Sequence, residues 1–280
     1  MSDQLARPTR PDFLCIGAKK AGTTWLYDQL RQHPEIWLPP VKELLVFNDP
    51  TLYPRDIGRL DRRRDAIAKM REEGAFQPED NRFLDAYLER TSSGLDWYAK
   101  LFDEAGDKRA GDIDPNVYAQ YRLMLFRMNR VLPKMKLIFI LRHPAMRSWS
   151  HACMVTRFQN IDLTAMSDSD VIASLSHSVV AHLSRYRESI AALREQFTED
   201  RLLFLSFDDI VNDPAGLLRR VWDFLEVEPA EVPASAWQKS NAGHAVPMPV
   251  AVHAAMTDFH SDDIATALEV LGIGPDRLAL

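Results

Sequence analysis

The chain has 280 residues, 46% of them hydrophobic and 26% charged, a balance that suits a single globular domain, 1–280, with a sizeable core. A formal net charge of -6 argues against nucleic-acid binding, where a basic surface supplies most of the affinity. The start MSDQLARPTRPDF has no apolar signal core, and no later stretch reaches the ~18 uncharged apolar residues of a membrane span, so a cytoplasmic protein is expected.

Phe13 to Ile16 is a short apolar run closed by Gly17, the pattern of a buried strand, and it carries Cys15, read as a buried free thiol. Thr23 to Gln32 follows with Trp25, Leu26 and Leu30 at helical spacing. Gly17 to Thr24 therefore occupies a strand-to-helix turn. A nucleotide-triphosphate loop reads G-x-x-x-x-G-K-[ST]. Here Gly17 and Gly22 keep the glycine spacing, Thr23 stands in the lysine's place, and the lysines come earlier, at Lys19 and Lys20. Backbone N–H groups at such a helix start, with a lysine and two threonine hydroxyls, suit an anion.

Residues 55–73 form a charged helical stretch whose arginines are expected to face solvent more than an anionic substrate. Leu95 to Phe102 reads as a short amphipathic helix, RAGDIDPNVY as a strand end entering a loop, and Tyr118 to Leu132 as a helix. Lys136 to Arg142, KLIFILR, is the clearest core strand, and a helix opens behind it at Pro144. A long helix is expected over 171–197, then the strand RLLFLSF and a helix capped by Asp213 with Pro214 at its first position. The last 45 or so residues show no clear pattern. Apolar strands alternating with helices predict an α/β fold of three layers, a central parallel sheet flanked by helices, in a phosphate-loop-like architecture.

The second core strand discriminates between chemistries. A metal-dependent phosphoryl-transfer enzyme should place an acidic residue after it to help hold Mg²⁺. This one ends in Arg142, and a guanidinium takes an anion directly through forked hydrogen bonds, with Ser150 eight residues on. A ligand with two anionic ends and no metal is expected.

These residues carry a resemblance. PDFLCIGAKKAGTTWLYDQLRQHPEI and KLIFILRHPAMRSWSHACM resemble the two cofactor motifs of sulfotransferases that use 3′-phosphoadenosine 5′-phosphosulfate (PAPS). RLLFLSFDDIVNDPAGLLRRVWDFLEV resembles a later segment, so the likeness runs over about 11–228, with 229–280 expected to close over the cofactor. The resemblance implies a loop of Lys19, Lys20, Ala21, Gly22, Thr23, Thr24 and Trp25 around the 5′-phosphosulfate, and Arg142 and Ser150 at the 3′-phosphate. Trp25 and Trp149 themselves read as packing residues more than adenine stackers. WQKSNAGHAVP resembles the late loop over the 3′-phosphate and offers Lys239, Asn241 and Gly243.

VKELLVF resembles the K-E-x-x-F-F segment of the heparan-sulfotransferase-like branch, whose base is a glutamate. Phe47 matches and Val46 departs from the usual aromatic. Glu43 is thus the implied base and Lys20 the cation for the leaving phosphate. GLDWY and GDIDPNVY resemble segments that shape the acceptor cleft, so Lys42, Asp112 and Asp114 are expected at the acceptor, the aspartates reading equally as turn residues beside Pro115. Met154 to Ser178 is a candidate acceptor-facing lid, and His143 and His151 read as structural. The implied reaction is sulfuryl transfer to a hydroxyl or amine of a small molecule, glycan or lipid. A metal-dependent kinase and a non-catalytic nucleotide binder remain as alternatives. The missing G-K-[ST] with Arg142 argues against the first, and the complete residue set against the second.

Overall fold

The structure, a computed structural model, describes residues 10–47, 59–89, 95–119, 122–177, 179–238 and 246–278. Five strands among these form one parallel sheet: β1 (Phe13–Gly17), β2 (Ile36–Trp37), β3 (Arg109–Ile113), β4 (Lys136–Leu141) and β5 (Leu202–Ser206), in the order β2-β3-β1-β4-β5. All of β1, and all of β4 beyond Lys136, is buried. A parallel strand covered on both faces needs such an unbroken apolar run, which is why these two were legible.

Helices flank the sheet. Before β3 come α1 (Thr23–Leu30), α2 (Arg59–Glu72), α3 (Asn81–Leu88) and α4 (Leu95–Lys100), and between β3 and β4 lies α5 (Arg122–Val131). Behind β4 follow α6 (Pro144–Phe158), α7 (Asp168–His177), α8 (Val179–His182) and α9 (Tyr186–Gln196). The chain closes with α10 (Phe207–Asn212), α11 (Pro214–Leu225), α12 (Val250–Phe259) and α13 (Ser261–Leu271). In α11 the Asp213 carboxylate accepts from Gly216 N–H as expected, and Leu217, Leu218, Val221, Trp222 and Leu225 form its buried stripe.

Three expectations need correction. The long helix over 171–197 is interrupted at 183–185, because Ser184 is fully buried and turns its hydroxyl onto α6, donating to Pro144 C=O at 3.1 Å. β2 was not foreseen; it is two residues long and gains its place only by pairing with Arg109 and Ala110. The unpatterned C-terminus contains two helices, α12 packed on α6 and α7, and α13 on α9 and β5. A satellite apolar cluster of Trp149, Val171, Leu175, Val252 and Met256 joins α6, α7 and α12, so the part of 154–178 in α7 is anchored by packing.

The order of strands positions the site. β1 has β3 on one side and β4 on the other, so the chain runs outward from β1 both ways and leaves a crevice at its C-terminal end. Gly17, Asp114, Arg142 and Phe207, which close or follow β1, β3, β4 and β5, share this edge. Close packing holds the centre: a Cβ on Gly111 would lie 2.1 Å from Cζ of buried Phe13. Gly111→Ala is accordingly expected to cost about 1–3 kcal/mol through overpacking, read as a lower midpoint in urea denaturation with unchanged slope.

Candidate active site

The turn after β1 places its residues by backbone geometry. Gly22, the residue before α1, has φ 84°, and Lys20 also lies in the left-handed region at φ 72°. No side chain caps α1 at Gly22, so the amides of Thr23, Thr24 and Trp25 face outward at a helix start without intrahelical partners. Glycine at 22 is required twice, by its φ and because a Cβ there would meet Ile210 Cδ1 at 2.3 Å and Phe207 at 3.3 Å. Lys42 reaches back to this helix start, donating to Thr24 Oγ1 at 3.0 Å and Thr23 Oγ1 at 3.3 Å. Lys20 Nζ lies 3.9 Å from Met154 Sδ on α6.

Arg142, at the end of β4, is joined to the loop. Its Nη1 donates to Lys20 C=O at 3.0 Å and its guanidinium lies 4.4 Å from the centre of the Phe207 ring. Burial holds both Arg142 and Lys20 below their usual pKa, and for Lys20 the charges of Arg142 and Lys19 add to this. The cations crowd one another here, an arrangement that an anion relieves. Ser150 is half-buried in the second turn of α6.

Opposite stands the acidic side. Glu43 has φ 63°, donates its backbone N–H to Ile113 C=O at 3.1 Å and keeps a quarter-exposed carboxylate 3.6 Å from Lys42 Nζ. Arg63 of α2 donates to the carbonyl of Lys42. Asp112 and Asp114 are 2% and 1% exposed, so they lie beneath the cleft surface. Asp112 accepts from Ile113 N–H at 2.7 Å and Tyr98 O–H at 3.3 Å, while Asp114 accepts from Asn116 Nδ2 at 2.8 Å. Burial, then the charge of Asp114, pushes the Asp112 carboxyl up to about 8. Asp112 lies within β3 and Asp114 directly after it.

Trp25 is 3% exposed and donates its indole N–H to Ala236 C=O at 2.9 Å; Trp149 donates to Val246 C=O at 2.7 Å. Both rings are packed, and Trp25 can meet a ligand through its amide alone. The indoles fasten the chain on either side of 239–245, and Lys239, Asn241 and Gly243 themselves lie outside the described residues. His143 and His151 are buried and held neutral, at about 4 and about 3, by burial above all. Burial raises Cys15 to about 12, an inert thiol as expected. No local signal marks Arg147, a fully buried arginine behind the loop, or Arg63 in its run of charges.

A strand-loop-helix turn at the C-terminal edge of a five-stranded parallel sheet defines the class. The chain belongs to the sulfotransferase family, whose profile matches residues 11–231. It is 24% identical over 223 residues to human heparan sulfate glucosamine 3-O-sulfotransferase 6, covering 77% of this chain and 52% of that protein. It is 25% identical over 220 residues to mouse heparan sulfate glucosamine 3-O-sulfotransferase 3A1, covering 77% of this chain and 45% of that protein. The chain thus spans about half the length of the curated relatives it matches. In fold it is similar to a sulfotransferase from Alicyclobacillus acidocaldarius (TM-score 0.68, 23% identity, 95% and 97% of the two chains). It is likewise similar to the sulfotransferase domain of the Synechococcus PCC 7002 olefin synthase (TM-score 0.61, 19% identity, 98% of each). Among the described residues no helix is long and apolar enough to cross a membrane.

The buried acid makes a pH prediction. Asp112 titrates near 3.8 when unfolded and about 8 when folded, so between these values the folded state binds the extra proton and stability falls as pH rises. Asp112→Asn has nothing to ionise. Its melting temperature relative to wild type is expected to climb from pH 4 to about pH 8 and then level off, measured by calorimetry across that range.

Proposed function

We propose that the chain transfers a sulfuryl group from PAPS to a hydroxyl or amine of a carbohydrate, lipid or small natural product. The observation that carries this reading is the bond from Arg142 to Lys20 C=O, which brings the two anion-binding elements to one sheet edge. The donor set fits a bisphosphorylated donor: free helix amides, Lys20, Thr23 and Thr24 on one side, and Arg142 with Ser150 on the other. When bound, the donor supplies an electrophilic sulfur and a phosphate leaving group.

The chain's own residues then have distinct tasks. Glu43, fixed by its amide on Ile113 C=O, takes the proton that the acceptor loses as its oxygen or nitrogen bonds to sulfur. The sulfur–oxygen bond to the phosphate breaks in the same displacement, and Lys20 meets the charge left on that oxygen. Lys42, between Glu43 and the two threonines, ties the base to the helix start. The products are the sulfated acceptor and adenosine 3′,5′-bisphosphate. Asp112 and Asp114 support the acceptor side from below, and residues 229–280 complete the cofactor side. The names of the curated relatives favour a sugar among the acceptor classes.

Calorimetric titration tests the donor. Wild type is expected to bind adenosine 3′,5′-bisphosphate without metal, and Arg142→Ala about ten- to a hundredfold more weakly, the loss of charge-assisted bonds. Binding of Mg-ATP with the bisphosphate ignored would sink the reading and favour a kinase. Glu43→Gln should leave bisphosphate affinity within about twofold yet lower transfer from radiolabelled donor, across a panel of sugars, alcohols and amines, by about 10²–10⁴.

A further inference from the structure

Arg147 stands behind the loop as a buried cation that the reaction just described does not use. Its side chain is 0% exposed on α6. Nε donates to Ser184 Oγ at 2.6 Å, Nη2 to Ser148 Oγ at 3.3 Å and to Val180 C=O, and Nη1 to Lys19 C=O at 3.4 Å. Ser184 Oγ lies 2.8 Å from Ser148 Oγ and donates to Pro144 C=O, so the hydroxyls are themselves held. Among the described residues every partner is a neutral oxygen. A buried charge is costly to desolvate, and a neutral cage without a carboxylate compensates it only in part. If packing alone were at stake, an apolar side chain of similar volume would serve as well or better.

Lys19 C=O and Lys20 C=O are consecutive, and each is held by an arginine of the second motif, Arg147 and Arg142. In a planar trans peptide the carbonyl and the next N–H point in opposite directions. Holding Lys20 C=O on Arg142 sends Ala21 N–H the other way, where it meets Ala18 C=O at 3.0 Å. Holding Lys19 C=O on Arg147 likewise sends Lys20 N–H to the face away from the buried guanidinium. The same cation adds a fixed positive charge behind the loop: it is among the groups that depress Arg142, and after burial it is the largest influence depressing His151.

We infer that Arg147 is a positioning residue for the anion site: it orients the loop through Lys19 C=O, and the bound ligand's negative charge is the counter-charge its neutral cage lacks. This rests on the anion-site reading above and deepens it. Its consequence is an inverted balance between apo stability and affinity. Arg147→Met keeps length and apolar volume and removes both the charge and the bonds. The variant is expected to melt at or above the wild-type temperature without ligand, to bind adenosine 3′,5′-bisphosphate at least tenfold more weakly, and to show faster hydrogen exchange at amides 19–24.

A purely structural arginine predicts the reverse, namely a lower melting temperature with affinity within twofold and unchanged loop exchange, and that result would overturn the inference. Should Arg147→Met not fold, Ser184→Ala decides. It removes the 2.6 Å acceptor and leaves the cation in place, so faster loop exchange with weaker binding upholds the role and no change in either refutes it. Inorganic pyrophosphate is titrated in parallel. A wild type that binds pyrophosphate and ignores the bisphosphate would fail the donor assignment, while the pyrophosphate and exchange comparisons would still judge Arg147.

Discussion

The site depends on holding several cations together before any ligand arrives. Lys20, Lys42, Arg142 and Arg147 converge on the start of α1 from three separate stretches of chain, and burial makes the charges of Lys20 and Arg142 harder to keep. The protein tolerates this because Lys42, Arg142 and Arg147 are locked by hydrogen bonds to loop carbonyls, threonines or serines. Such preorganisation is the usual source of electrostatic catalysis: the donors are already aimed, and nothing must reorganise as charge develops. The cation–π contact of Arg142 with Phe207 and the packing of Ile210 against Gly22 extend that support to α10.

The acidic side follows a different logic. Asp112 is buried deeply enough to carry a proton at neutral pH, so the ground beneath Glu43 holds fewer negative charges than its composition suggests. Two carboxyl groups near one strand end thus differ by environment alone: a neutral one that knits Tyr98 to the backbone, and an accessible one paired with Lys42.

What the sequence made legible was whatever had a local signature. The glycine spacing, the threonine in place of the usual lysine and the apolar strand ending in Arg142 are visible in a few residues each, and they sufficed for the fold. Glu43 was reached through resemblance to a family segment, since a glutamate in a loop has no signature of its own. The burial of Asp112 and Asp114 was not legible, because DIDP reads as a surface turn and becomes interior only when β3 lies beneath α4 residues such as Tyr98. Arg147 in HPAMRSWS looks like any helical arginine. Its neutral cage comes from Ser184 and Val180, which are distant in sequence, and the same docking of Ser184 broke the helix expected there.

Those distances along the chain have a consequence for how the protein comes into being. The Arg142–Lys20 and Arg147–Lys19 bonds join residues 122 and 128 positions apart, and the cage closes only when the turn at 183–185 has docked as well. Contacts of that span carry the largest loop-closure entropy and belong to the slow, non-local part of folding. Helix α1 can form as local structure without them, but the turn before it then has no reason to hold its carbonyls toward the two arginines. A chain that has collapsed and gained its helices would still lack this ordered loop. The loop therefore reports on completion of the tertiary fold, and during synthesis it can be completed only after the segment beyond residue 184 has emerged.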